Sequence, residues 1–121
     1  MKVWKLLMSG ALAATFAVQP ALAGPGGGVV EVVTFKLKAG VSAAEFAPID
    51  KAVEREHVAR QPGFVSRESA HGADGDWLVI VHWRSANDAA ASMASFEKAP
   101  AAAKFMAKIE ASTMSMKRYQ K

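Results

Sequence analysis

The chain has 121 residues, with 15 Lys and Arg against 11 Asp and Glu and a formal net charge of +4. It contains no Cys, which excludes disulfide staples and a lipid anchor carried on Cys. Two of the positive charges, Lys2 and Lys5, stand in a segment without acids that reads as a sorting signal, so the surplus gives no support to nucleic-acid binding.

That segment is residues 1–23. Lys2 and Lys5 precede a mostly apolar run from Leu6 to Val18, too short to span a bilayer comfortably, and Ala21-Leu22-Ala23 has the small-x-small form of a cleavage site. The pattern predicts a secretory signal peptide, a periplasmic or secreted protein, and no stable membrane anchor after cleavage. Residues 24–28, GPGGG, form a leader without side chains to pack. Residues 29–121 are enough for one small domain. Without disulfides, a domain of that size gains from association with a second copy.

Val29–Lys38 alternates as a strand, with Glu31, Val33, Phe35 and Leu37 on one face and Val30, Val32 and Thr34 on the other. Both faces carry apolar residues, as in a central strand. Ala39-Gly40 turns the chain. Ser42 caps a helix, with Glu45 in the capping-box position and Val41 and Phe46 as a staple. Phe46, Ile49, Val53 and His57 recur at helical spacing, and Pro48 either kinks this helix or begins it. Gln61-Pro62-Gly63 ends it.

Phe64–Ala70 is a more polar strand, fitting a sheet edge, and His71–Gly75 is a turn. Trp77–Arg84 returns antiparallel. Trp77, Val79, Val81 and Trp83 share one face; Leu78, Ile80, His82 and Arg84 share the other. Ser85 caps a second helix, interrupted at Ala99-Pro100, whose later segment carries Ala102, Phe105, Met106 and Ile109. Thr113–Gln120 alternates as a last strand. The order is βαββαβ, a ferredoxin-like α+β arrangement: a four-stranded antiparallel sheet with two helices on one face.

The residues VVEVVTFKLKAGVS, the PGF after the first helix, WLVIVHWRS, FEKAPAAAKFMAKI and the closing MSMKRY, in that order and spacing, resemble the dimeric α/β-barrel proteins of the antibiotic-biosynthesis-monooxygenase (ABM) type. The resemblance covers nearly all of residues 29–121. It implies a homodimer whose sheets pack face to face, and a cavity between helices and sheet in each subunit. It also implies a small aromatic or apolar ligand and, in some members, cofactor-free oxygenation of phenolic or quinol-like substrates. Other members have no established activity, which leaves a non-catalytic ligand-binding or stress-associated barrel as the alternative. Haem-degrading relatives pair the strand-end Trp with an Asn on the first strand and a His on the second helix. Here Asn87 is the only Asn and the second helix has no His, which argues against haem chemistry.

Trp83 matches the Trp that lines the family's pocket; a strand-end Trp can equally pack against a helix. Phe35, Phe46, Val53, Met93 and Phe105 are the candidate lining around it. Glu31 and His57 are the candidate catalytic residues. On an inward strand face, Glu31 can act as base toward a phenol, or pair with Arg67 or His57, or reach water at the strand end. His57 can face the cavity as acid or base, or sit half exposed at the helix C-terminus. Arg67 and Glu68 fall on opposite faces of their strand, so at most one faces the pocket. The remaining Met residues read as core filler, and Lys117 and Arg118 as solvated charges. No three His or carboxylates have metal-ligand spacing, and no cofactor-binding motif is present.

Overall fold

The computed structural model describes residues 28–121. The expected signal segment, and the Gly-rich leader except for Gly28, lie outside them. β1 (Val29–Leu37) is followed by α1 (Ala43–Glu56), a 3-10 turn (Val58–Arg60), β2 (Phe64–His71) and β3 (Asp76–Trp83). Then come α2 (Ala86–Phe96), α3 (Pro100–Ala107) and β4 (Ile109–Gln120). The four strands form one antiparallel sheet in the order β2-β3-β1-β4, so the two strands apolar on both faces are the central pair. Among the described residues, no helix is long and apolar enough to cross a membrane.

Local chemistry explains the helix boundaries. Ser42 Oγ accepts from the Glu45 backbone N–H at 3.0 Å, and Ser85 Oγ accepts from that of Asp88 at 3.1 Å. Each cap satisfies one of the orphan donors of a helix N-terminus. Pro48 stands on an exposed side of α1, and the helix runs on through it from Ala43. The second helical region is two helices, because Pro100 opens α3 at its first residue. Gly63, with φ +83°, closes the turn after α1; its carbonyl accepts from Arg84 N–H at 2.8 Å, and a Cβ there would collide with the Asp88 side chain.

The last strand begins earlier than its alternation predicts. Ile109, expected in the helix, is buried and pairs with Leu37. A register shift between Thr34 and Lys36 accommodates the extra length, and Thr113 Oγ1 fills the gap by accepting from Lys36 N–H at 2.9 Å.

The helices cover the face carrying Val29, Val79, Val81 and Trp83. At one end of that layer, aromatic rings fill the space. Phe46 is fully buried and meets Trp77 edge-on at 4.8 Å, while Phe35 meets Phe46 at 5.9 Å and Phe105 at 5.6 Å. Each such pair adds about 0.5–1.5 kcal/mol beyond area burial. The opposite sheet face carries Val30, Val32, Leu78 and Ile80, all half-buried, and no helix among the described residues lies over it.

Candidate functional site

Toward the other end of the layer the packing opens into a cavity of about 420 Å³. Its floor is the sheet: Glu31 and Val33 from β1, Arg67 from β2, Val79, Val81 and Trp83 from β3, and Met114 from β4. Its walls come from α1 through Val53, from α2 through Ser92, Met93 and Phe96, and from α3 through Ala102, Phe105 and Met106. The volume is in the range of small-molecule pockets, and the walls are mostly apolar with few polar groups, as such pockets are.

Glu31 is one of those polar groups and is 4% exposed. Its Oε1 accepts from Trp83 Nε1–H at 3.3 Å, and its Oε2 accepts from Arg118 Nε–H at 2.8 Å. The register explains both contacts. Glu31 faces Arg118 directly across the β1–β4 ladder, and Trp83 lies two residues along β3 from Val81, which pairs with Glu31. The carboxylate is thus held in a fixed pose, with one lone pair per oxygen remaining. The partner is Arg118, not Arg67 or His57 as expected; Arg118 remains exposed to solvent on one side while its Nε–H is spent on Glu31.

Trp83 is 2% exposed, hydrogen-bonded to Glu31, and packed edge-on against Phe64 at 6.0 Å. One ring thus does what its two expectations describe, lining the cavity and packing in the core.

Arg67 supplies the second charged group. Its Nη2–H donates to Asp50 Oδ1 at 2.7 Å and its Nη1–H to the Asp50 carbonyl at 3.4 Å, with Glu54 at 3.7 Å. Ser69 Oγ–H donates to the other oxygen of Asp50. Asp50 therefore belongs to the buried stripe of α1 between Phe46 and Val53, a carboxylate that the apolar periodicity does not reveal.

His57 stands outside the cavity lining. It is buried behind Phe96, whose ring meets it edge-on at 5.8 Å, and its Nε2 is 2.7 Å from Ser95 Oγ. Ser95 has one proton and two obligate acceptors beside it, the Ser92 carbonyl at 3.0 Å and Gln61 Oε1 at 3.3 Å. Gln61 is oriented by its own donation to the His57 carbonyl at 3.1 Å. Ser95 therefore accepts from His57 Nε2–H, which leaves Nδ1 a buried acceptor without a partner. Burial pushes the His57 pKa below its ordinary 6.5. With Nε2 donating, this imidazole cannot take the Ser95 proton, so the pair is no activated nucleophile.

Of the expected site residues, Glu31, Trp83, Val53, Met93 and Phe105 meet at the cavity. Phe35 and Phe46 do not: their rings are spent in the aromatic cluster. His57 does not, because Phe96 lies between. Met106 and Met114, read as filler, line the cavity. Among the described residues, no group of three His, Asp or Glu could hold a metal ion.

No protein-family model and no curated protein matches this chain. Solved structures do. SnoaB from Streptomyces nogalater, a cofactor-independent oxygenase, is 22% identical, with a TM-score of 0.64 over 77% of this chain and 91% of that one. A candidate antibiotic biosynthesis monooxygenase from Bordetella bronchiseptica is 14% identical, with a TM-score of 0.60 over 78% and 97%. Another, from Chloroflexus aurantiacus J-10-fl, is 15% identical, with a TM-score of 0.57 over 78% and 92%. The chain has the ferredoxin-like α+β fold of these proteins. At such identities the likeness speaks for the fold, and function has to be argued from the site.

Proposed function

We propose that this chain is an exported, homodimeric domain that binds a small aromatic or apolar ligand between its helices and its sheet. The observation that carries the reading is the Glu31–Trp83 pair on the floor of a mostly apolar cavity. Trp83 supplies a flat stacking surface, and Glu31 supplies an acceptor for one ligand O–H or N–H.

The likeness to SnoaB supports extending this to cofactor-independent oxygenation of phenolic or quinol-type substrates. In that reaction Glu31 takes the phenolic proton, and the electron-rich anion adds O₂ at a ring carbon. The hydroperoxide then loses water to leave a quinone carbonyl. One oxygen atom enters the substrate, the other leaves as water, and the substrate supplies the electrons.

A second reading, ligand binding without turnover, is favoured by a specific observation: both oxygens of Glu31 already accept a hydrogen bond, one from Trp83 and one from Arg118, and the other carboxylate on the cavity lining is Glu97. Calorimetric titration with 1-naphthol and 1,4-naphthalenediol, run beside oxygen-electrode assays, separates the two. Binding with oxygen uptake that Glu31→Gln abolishes supports the oxygenase; binding without uptake supports the carrier. Absence of binding by either compound would remove both. Trp83→Phe is expected to weaken binding several-fold while the fold persists, because most apolar area is kept and the Glu31 contact is lost. Export rests on residues 1–23, and N-terminal sequencing of the periplasmic protein is expected to begin at Gly24.

A further inference from the structure

Glu31 and Arg67 stand on one rung of the sheet. Val81 pairs with Glu31 on one side and with Arg67 on the other, so the two charged residues are two strand spacings apart, about 10 Å between Cα atoms. Both side chains are on the cavity floor, and both are nearly fully buried, at 6% and 3% exposure.

Each is partnered from outside the rung segment between them. Arg118 approaches Glu31 from β4, the edge strand farther along the same rung, and Asp50 approaches Arg67 from α1. Neither is saturated. Each oxygen of Glu31 accepts one bond, and Arg67 uses Nη1 and Nη2 for Asp50 while its Nε–H donates to none of the described residues. The floor between the two poles is Val81, flanked by Val33 and Val79.

We propose that Arg67 is a specificity-determining residue, and that the cavity selects flat apolar ligands with a hydrogen-bond donor at one end and a carboxylate or carbonyl acceptor at the other. The donor end meets Glu31, the apolar body lies over Val81 against Trp83, and the acceptor end meets the free side of the Arg67 fork. This rests on the reading that the cavity binds an aromatic ligand. A ligand with one function leaves a buried polar group without its partner, and sites of that kind discriminate more strongly than apolar contact alone.

Three naphthalene probes test the assignment by calorimetry on the purified chain: 6-hydroxy-2-naphthoate, 2-naphthol and 2-naphthoate. The two-function probe is expected to bind at least ten-fold tighter than either single-function probe. In Arg67→Gln its advantage over 2-naphthol is expected to fall below two-fold. Because that substitution unpairs Asp50, the double variant Asp50→Asn with Arg67→Gln, which removes both charges and keeps the shape, repeats the comparison. Equal binding of 2-naphthoate and 6-hydroxy-2-naphthoate would overturn the donor pole at Glu31. An advantage over 2-naphthol that survives in both variants would overturn the acceptor pole at Arg67. Binding of all three with equal affinity leaves an aromatic site without polarity and overturns the proposal alone. Binding of none overturns the aromatic-ligand reading together with it.

Discussion

Arg118 Nε lies 2.8 Å from Glu31 Oε2, although 87 residues separate them along the chain. The contact fastens the last strand to the first at the cavity floor, and it keeps a buried carboxylate partnered where Trp83 alone would hold it. A charge this deeply buried persists only when it is paired.

Arg118→Met is therefore expected to destabilise the fold by about 1.5–3 kcal/mol, the range for losing a hydrogen bond to a charged group. Arg118 keeps 29% of its side-chain exposure, so water replaces part of the loss and the lower half of that range is expected. Adding Glu31→Gln to the same chain should recover stability, since the amide tolerates the site without a cation. Urea denaturation of the two variants checks the order. A double variant less stable than Arg118→Met would show that the charge on Glu31 was not the cause.

The Asp50–Arg67 pair is deeper, with side chains 7% and 3% exposed. Asp50→Ala leaves a guanidinium whose nearest remaining carboxylate, Glu54, is 3.7 Å away. Breaking a buried pair from one side costs about 3–5 kcal/mol. That is a large share of the 5–15 kcal/mol typical of a whole domain. Replacing both partners, Asp50→Leu with Arg67→Met, should cost much less than Asp50→Ala, because no buried charge is orphaned. Thermal unfolding of the three proteins tests the inequality.

The elements of this fold were legible where local chemistry sets them. The Ser42 and Ser85 caps, the turn at Gly63 and the double-faced alternation of β1 and β3 all appear in the sequence and in the structure. The start of β4 was not. Phe105 and Ile109 are four apart, which satisfies helical spacing, yet Ile109 gains more by pairing with Leu37 and burying its side chain. The site was half legible for a related reason. Facing directions put Glu31 and Trp83 inward, but the identity of their partners depends on inter-strand register, and no local pattern reports which residue of β4 stands opposite Glu31. Asp50 escaped notice because a lone acid on an apolar stripe reads as an interruption until Arg67 and Ser69 are seen across from it. Phe35 and Phe46 point inward as expected; which part of the layer is full and which is hollow is decided by how the rings pack.

His57 makes stability depend on pH. Its folded-state pKa lies below its ordinary 6.5 because burial disfavours the charged ring. The unfolded chain therefore takes up the proton first as pH falls. The neutral-histidine contribution is complete above about pH 6.5 and is lost progressively below it, toward the lower folded value. Between pH 7.5 and 5 the wild-type melting temperature is expected to drop more than that of His57→Gln, which has no proton to gain at this position. Parallel slopes for the two proteins would show that His57 does not titrate across unfolding.

The sheet face away from the helices is apolar along its two central strands. Val32 pairs with Ile80, Val30 with His82 and Thr34 with Leu78, so the apolar residues of the two central strands lie side by side. Polar neighbours border them: Glu68 pairs with Ile80 from β2, and Lys117 pairs with Val32 from β4. The three helices among the described residues lie on the other face, so none of them covers this one. An apolar patch at the centre of a sheet, rimmed by polar groups, is the form an association surface takes. A second copy offers the same patch, and two-fold pairing makes it self-complementary. The wild type should therefore run as a dimer by light scattering at micromolar concentration, and its melting temperature should rise with protein concentration. Ile80→Asp places an unpaired carboxylate in the middle of that contact, beside Glu68, and should shift the mass to that of a monomer with a lower melting temperature. A wild-type protein that is monomeric, with a melting temperature independent of concentration, would mean that this face is exposed to water in the native state.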